Sequence, residues 1–331
     1  MPCEITLELL EAIKAHPEKF KVSQEIELEY RDDVSFSDRP NTGIAIVLDT
    51  EATDVVPENA EIIALSILPI FYDKSTLEIL GIHRPQMWLN EPSCPISEEV
   101  QRITGLTDEV VKGHRLDIDK IESIIETGSI FIAHNAAYDR VLMERYFTSL
   151  IDKPWACTYM EIPWKEMGYD SMKLRHILSD MGYFYNAHRA DADCEAVAML
   201  LQQEGNDASL FENLIQGARS ASYTICFNVP YGLQGPYKER QFYWKPEKKV
   251  WQKTASLREL QSDIASLKNT CKTLSSSQIF EQNAFDKYSH RNGRALNAQE
   301  KQELFDIVPF ASPSQRNAPP TVRRIGMDRP R

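Results

Sequence analysis

The 331-residue chain has no CxxC pair and no compact run of cysteines; its six cysteines stand singly at 3, 94, 157, 194, 226 and 271. That excludes a disulfide framework and a paired-thiol zinc ribbon, and it predicts reduced thiols in a cytoplasmic setting. No apolar run approaches the roughly 18 residues that a spanning helix needs, so no membrane partner is expected. The first twenty residues, MPCEITLELLEAIKAHPEKF, carry acids early and lack a basic stretch followed by an apolar one, which argues against a secretory signal. Glycine, at 13 residues, is too sparse for a collagen-like chain. With 42% hydrophobic and 26% charged residues, a sizeable core can be buried. The length allows one or two domains plus extensions.

Charge is divided unevenly. Residues 215–331 hold 19 basic and 10 acidic side chains, a net of +9, whereas the first 214 hold 18 and 39, a net of −21. An acidic body repels nucleic acid unless metal ions or a basic patch intervene. The C-terminal third can supply such a patch, or it can be an ordinary solvated surface with a basic tail.

Five regions separate along the chain. Residues 1–40 read as an extension with a short helix at Leu7–Ile13, followed by a polar linker at 31–42. Residues 43–205 form the organised body. GIAIVLD (43–49) has the pattern of a buried strand, and Ile62–Phe71, Leu77–His83 and Ser129–His134 read as further strands. Helices are predicted at Ser97–Ile103, Asp117–Thr127, Tyr138–Phe147, Lys173–Met181 and Ala190–Glu204. Strands followed by alternating strands and helices predict an α/β domain built on a mixed sheet. Residues 217–255 read as a small β-rich module with a turn at Pro246–Lys249, and 256–310 as a helical extension. The Pro- and Arg-rich end, 311–331, reads as a disordered basic tail.

Carboxylates stand at three separated positions. Asp49 and Glu51 end the first strand, where residues i and i+2 share a face. Two such acids need neutralising, and a hard divalent cation such as Mg²⁺ does so with oxygen ligands. A capping or turn pair is the competing reading. Asp139 follows a strand at a helix start, where aspartate commonly serves capping and the helix dipole. His188 to Asp193, HRADAD, opens the last helix of the body, and its acids can equally be caps.

Together, LDTEATD, IAHNAAYDR and HRADADCEA resemble the three motifs of the DEDD exonuclease superfamily in its histidine-containing branch. That branch includes the proofreading epsilon subunit, exonuclease X and RNase T. The likeness covers about 43–205, and PWACTYM (154–160) is similar to the corresponding strand of exonuclease X. It implies a ribonuclease H-like fold with a mixed five-stranded sheet flanked by helices. The family pattern falls on Asp49, Glu51, Asp139, His188 and Asp193, leaving Asp191 as a neighbour. A weaker likeness links WKPEKKVWQKT to a small C-terminal module on some relatives.

The resemblance implies hydrolysis of nucleic acid from a free 3′ end, with release of nucleoside 5′-monophosphates. Two Mg²⁺ ions, or Mn²⁺, about 3.5–4 Å apart would activate water and stabilise the leaving oxygen. Asp49 would bridge both ions, Glu51 and Asp193 would bind the ion holding the water, and Asp139 would serve the second. His188 would take the proton, as an imidazole can near neutral pH. Thr50, Ala52, Thr53 and Asn135 are expected contacts to the terminal nucleotide. Partners are DNA or RNA 3′ ends, single-stranded, with DNA favoured and an RNase T-like exoribonuclease as the alternative. A catalytically vestigial binding or scaffolding protein is the competing class.

Other candidates carry less. Glu195 is expected on a helix surface, and Cys157, Cys194 and His176 lack metal-ligand spacing. His134 can brace the site or bond within the core. Phe242, Tyr243, Trp244 and Trp251 alternate with lysines, a pattern that suits either a β core or a single-strand surface.

Overall fold

A computed structural model describes residues 7–33, 35, 39–229, 232, 234–246, 248–267 and 277–306. The tail expected at 311–331 and part of the linker expected at 31–42 lie outside the described residues. Among the described residues no helix is long and apolar enough to cross a membrane.

Helix α1 (Leu7–Ala15) and a two-residue strand β1 (Gln24–Glu25) precede the body. Four strands follow: β2 (Thr42–Ala52), β3 (Ile62–Asp73), β4 (Ile79–Ile82) and β5 (Gln86–Leu89). Helices α2 (Glu98–Thr104), α3 (Asp108–Val111) and α4 (Ile118–Thr127) start on side-chain caps from Ser97, Thr107 and Asp117. Each cap satisfies an otherwise orphaned helical N–H. Gly105 closes α2 at φ 73°, a left-handed conformation that glycine reaches without penalty.

The chain continues through β6 (Ile130–Ala133), α5 (Ala136–Tyr146), β7 (Trp155–Cys157), α6 (Leu174–Asp180), β8 (Tyr183–Phe184), α7 (Ala190–Leu201) and α8 (Leu210–Arg219). The main sheet has the order β4-β3-β2-β6-β7, with β5 also on β3. β3 runs antiparallel to β2, and β6 and β7 are parallel to it. Five strands were expected and six are present. The twelve-residue β3 is long enough to pair with β4 near Phe71 and with β5 over Ala64–Ile67, so two short strands share one sheet position.

Helix α8 occupies the stretch between the body and the module, and its last three residues, 217–219, are helical where the β-rich module was expected to begin. Its apolar residues Leu210, Phe211, Leu214, Ile215 and Ala218 have helical spacing and are buried. Gly217 has a packing reason: a Cβ there would lie 2.6 Å from the carbonyl oxygen of Glu161.

The period-two alternation of β2 decides which helix meets which residue. Ala45 and Val47 enter a core with Leu174, Ile177, Val197 and Leu201 from α6 and α7. Ile46 and Leu48 enter the opposite core with Ile121, Ile125, Leu142 and Met143 from α4 and α5. Each fully buried aliphatic side chain contributes about 1.5–3 kcal/mol of transfer free energy, so a one-residue slip of β2 is strongly disfavoured.

A second sheet follows: β9 (Ser222–Phe227), β10 (Tyr243–Lys245), β11 (Val250–Ser256), β12 (Gln278–Gln282) and β13 (Arg294–Ala295), in the order β10-β11-β9-β12-β13. It is antiparallel throughout. Helices α9 (Gly235–Glu239), α10 (Leu257–Leu267) and α11 (Ala298–Asp306) accompany it. Ile225, Phe227, Phe242, Trp251, Leu260, Ile264 and Ile279 form its core. Two of these strands come from the segment read as a helical extension.

Candidate metal centre

The alternation of β2 continues past its apolar run. Asp49 and Glu51 share the parity of Ala45 and Val47, the face that α7 covers. α7 is held close: the buried Cys194 Sγ lies 3.6 Å from the Ser66 carbonyl oxygen and 3.9 Å from that of Val47. Asp193, one residue earlier on α7, therefore meets the two strand acids. One ligand oxygen from each of Asp49, Glu51 and Asp193 lies within 4.8 Å of the others.

Thr50 has the opposite parity and faces α5. Its backbone N–H (3.1 Å) and its hydroxyl (2.7 Å) both donate to one oxygen of Asp139, which is buried in the first turn of α5. Asp139 stands outside the 4.8 Å group. The strand end thus holds two acids on one face and reaches the fourth through the residue between them. A register irregularity follows at Glu51/Ala52.

Asp193 is fixed by three donors: the Tyr185 hydroxyl at 2.9 Å to one oxygen, and the backbone N–H groups of His188 (2.8 Å) and Arg189 (3.1 Å) to the other. His188 adopts a left-handed φ of 69°, uncommon for a non-glycine residue. His188 is exposed, and it is its backbone N–H that meets Asp193. Asp191 instead pairs with Arg189 at 2.9 Å.

Burial and mutual repulsion push these carboxyls upward. Burial raises Glu51 to about 8, with Asp193 and Asp139 adding to the rise. Burial lifts Asp139 to about 7 against the two Thr50 hydrogen bonds. Asp49 lies well above the ordinary carboxylate range, through burial and then its three acidic neighbours. Asp193 is raised by burial, opposed by its hydrogen bonds. Among the described residues no lysine or arginine forms an ion pair with any of the four. Hard oxygen ligands gathered without a compensating cation fit a divalent metal ion.

Of the remaining expected contacts, Thr53 is tied into the loop by paired bonds with Glu61 (N–H to carbonyl 3.0 Å; hydroxyl accepting from Glu61 N–H at 2.9 Å). Ala52 is half-buried at the strand end. Asn135 is exposed in a left-handed conformation (φ 85°) before α5, with no side-chain cap bond. Tyr185 was not singled out from the sequence, because no spacing rule links a tyrosine to an acid eight residues on. His134 bridges two elements: Nδ1 lies 2.8 Å from the Thr158 hydroxyl and Nε2 accepts from Leu174 N–H at 3.1 Å. Burial lowers its pKa to about 4. Glu195, expected on the surface, is half-buried and hydrogen-bonded by the Tyr30 hydroxyl.

Residues 46–201 match the RNase_T exonuclease family model. The matched stretch, 46–201, is similar to the exonuclease domains of that family. The match runs from within β2, which carries Asp49 and Glu51, through α7, which carries Asp193, so the acidic group lies inside the matched stretch. Among solved structures, exonuclease X in complex with 5′-overhanging duplex DNA is 18% identical, with a TM-score of 0.38 over 52% of this chain and 92% of that one. The zinc-bound complex of Escherichia coli exonuclease I with single-stranded DNA is 13% identical, with a TM-score of 0.45 over 68% of each chain. A comparison with curated proteins gave no significant match.

Proposed function

We propose that the protein is a metal-dependent 3′–5′ exonuclease that removes nucleoside 5′-monophosphates from the 3′ ends of nucleic acid, with DNA the favoured substrate. One observation carries the reading: Asp49, Glu51 and Asp193 present oxygens within 4.8 Å of one another. Asp139 joins them through Thr50. The motif wording, similar to the proofreading and exonuclease X types, favours DNA.

Asp49, Glu51 and Asp193 would hold one divalent cation, and Asp49 with Asp139 a second; Mg²⁺ suits this all-oxygen set, as does Mn²⁺. When bound, the ions supply an activated water and charge stabilisation at the leaving oxygen. The chain's own groups prepare for this. Tyr185 and two backbone N–H groups aim the Asp193 carboxylate. Thr50 keeps Asp139 ionisable in a buried setting. His188, exposed beside Asp193, takes the proton from the attacking water as general base. Asn135, with an unengaged side chain at the α5 start, contacts the terminal nucleotide, together with the backbone around Ala52.

The test is release of mononucleotides from matched DNA and RNA oligomers, labelled at the 3′ end, with Mn²⁺ or EDTA. Release should be chelator-sensitive and lost in Asp193→Asn, whereas Asp191→Asn should retain it. Release that persists in EDTA, or no release from either polymer, would overturn the reading. Faster release from RNA would transfer it to exoribonuclease.

A further inference from the structure

The aromatic residues of the C-terminal module fall into two sets. Phe242 and Trp251 are 4% and 8% exposed and belong to the module core. Tyr243 and Trp244 are 46% and 44% exposed. Both exposed rings lie on β10, the edge strand of the sheet, and neighbouring residues of a strand point to opposite faces. The edge therefore presents a ring on either side. Lysines accompany the rings: Lys245 Nζ lies 5.5 Å from the Tyr243 centroid and Lys238 Nζ 5.9 Å from that of Trp251, whose ring is 6.1 Å from that of Trp244. Lys249 sits in the turn that closes β10 onto β11. Residues 235–256 hold six basic and two acidic side chains, whereas the first 214 residues carry a net of −21.

We infer that the β10 edge is a docking surface for single-stranded nucleic acid, in which bases stack on Tyr243 and Trp244 while Lys238 and Lys249 meet the phosphates. The inference rests on the nuclease reading for its occupant. An acidic catalytic body repels the polyanion it must cut, so retention falls to the basic module. Unpaired bases offer free faces to rings and duplexes do not, which selects the single strand.

The test is binding of fluorescent (dT)20 and (rU)20 by the full-length protein in EDTA, where no cleavage intervenes. Tyr243→Ala/Trp244→Ala should weaken binding at least about tenfold, and Tyr243→Phe/Trp244→Phe should keep it within about threefold. Lys238→Ala and Lys249→Ala should each lower the salt slope by about 0.7. Thermal melting checks that each variant folds. An unchanged affinity in the double alanine variant, or equal affinity for a blunt duplex, would overturn the inference. Ring-dependent binding without nucleotide release would sink the nuclease reading and leave this surface standing. Comparison of the two oligomers separates a DNA track from an RNA track.

Discussion

Thr50 gives both its backbone N–H and its hydroxyl to a single oxygen of Asp139, at 3.1 and 2.7 Å. The arrangement follows from strand alternation: Asp49 and Glu51 turn to α7, and the residue between them must turn to α5. Hydrogen bonds to a buried carboxylate are worth about 1.5–3 kcal/mol each. Thr50→Val keeps the shape and removes one donor, so it should lower nucleotide release about tenfold or more and shift the Mn²⁺ requirement upward. Thr50→Ser should retain most activity. A Mn²⁺ titration of release rates for both variants is the measurement; equal curves for Val and wild type would assign Thr50 no part in positioning Asp139.

The acidic group makes the metal-free protein pH-sensitive. Glu51 is raised to about 8 and Asp139 to about 7, so the folded chain binds more protons there than the unfolded one. Stability contributed at this site is therefore lost as pH rises from about 4 towards 8 and is regained on acidification. Divalent cations should raise the melting temperature, with the rise growing logarithmically once their concentration exceeds the dissociation constant, and more at pH 8 than at pH 6. Asp49→Asn should raise the metal-free melting temperature at pH 8, by about 2–4 °C for each kcal/mol of repulsion relieved, while abolishing release. Melting curves with EDTA and with Mn²⁺ at the two pH values check this. A melting temperature indifferent to metal at both would contradict a metal centre.

Much of this arrangement was legible in the sequence, and the remainder was hidden for physical reasons. The β-branched run before Asp49 marked β2, and the helices read from Ser97 and from Asp117 begin within a residue of α2 and α4. Alternation placed Asp49 and Glu51 on one face, but no local pattern says which helix covers that face. Thr50 was expected to contact substrate, yet the opposite face of its strand carries α5 and claims both its donors. Tyr185 and His134 act through contacts between elements far apart in the fold, which leave no periodic trace. The second sheet was only half visible, because β12 and β13 are short, polar and separated by eleven residues.

His134 ties the end of β6 to the start of α6 through Thr158 and Leu174. Burial lowers its pKa to about 4, below the ordinary histidine value, so the folded state prefers the neutral ring. Its contribution is present above about pH 6.5 and is lost as pH falls towards 4. His134→Ala leaves the Leu174 N–H unpaired and should cost about 1–3 kcal/mol at pH 7. The deficit should shrink at pH 5, where the wild type pays for protonation or desolvation of the ring. Urea unfolding at the two pH values decides it; a constant deficit would mean that His134 acts by packing alone.

Arg140, next to Asp139 on α5, is fully buried and pairs with Glu144 at 2.7 Å. It also donates to the carbonyls of Ile151, Ala284, Phe285 and Lys287, three of them beyond β12. Lys287 returns into the body, where Nζ meets Glu161 at 2.7 Å and the Gly217 carbonyl at 2.9 Å. Trp155 N–H on β7 donates to the Ala284 carbonyl at 2.8 Å. Residues 284–287 thus complete the α/β body although the family match ends at 201. Breaking a buried ion pair by removing one partner costs about 3–5 kcal/mol, so Arg140→Met and Lys287→Met should each destabilise by that order. A fragment ending at 220 leaves Arg140 without three acceptors and Glu161 without its cation, and it should fail to fold cooperatively. Supplying residues 221–331 in trans should restore a sharp melting transition. A fragment 1–220 that melts cooperatively at the wild-type temperature would show that the segment is dispensable.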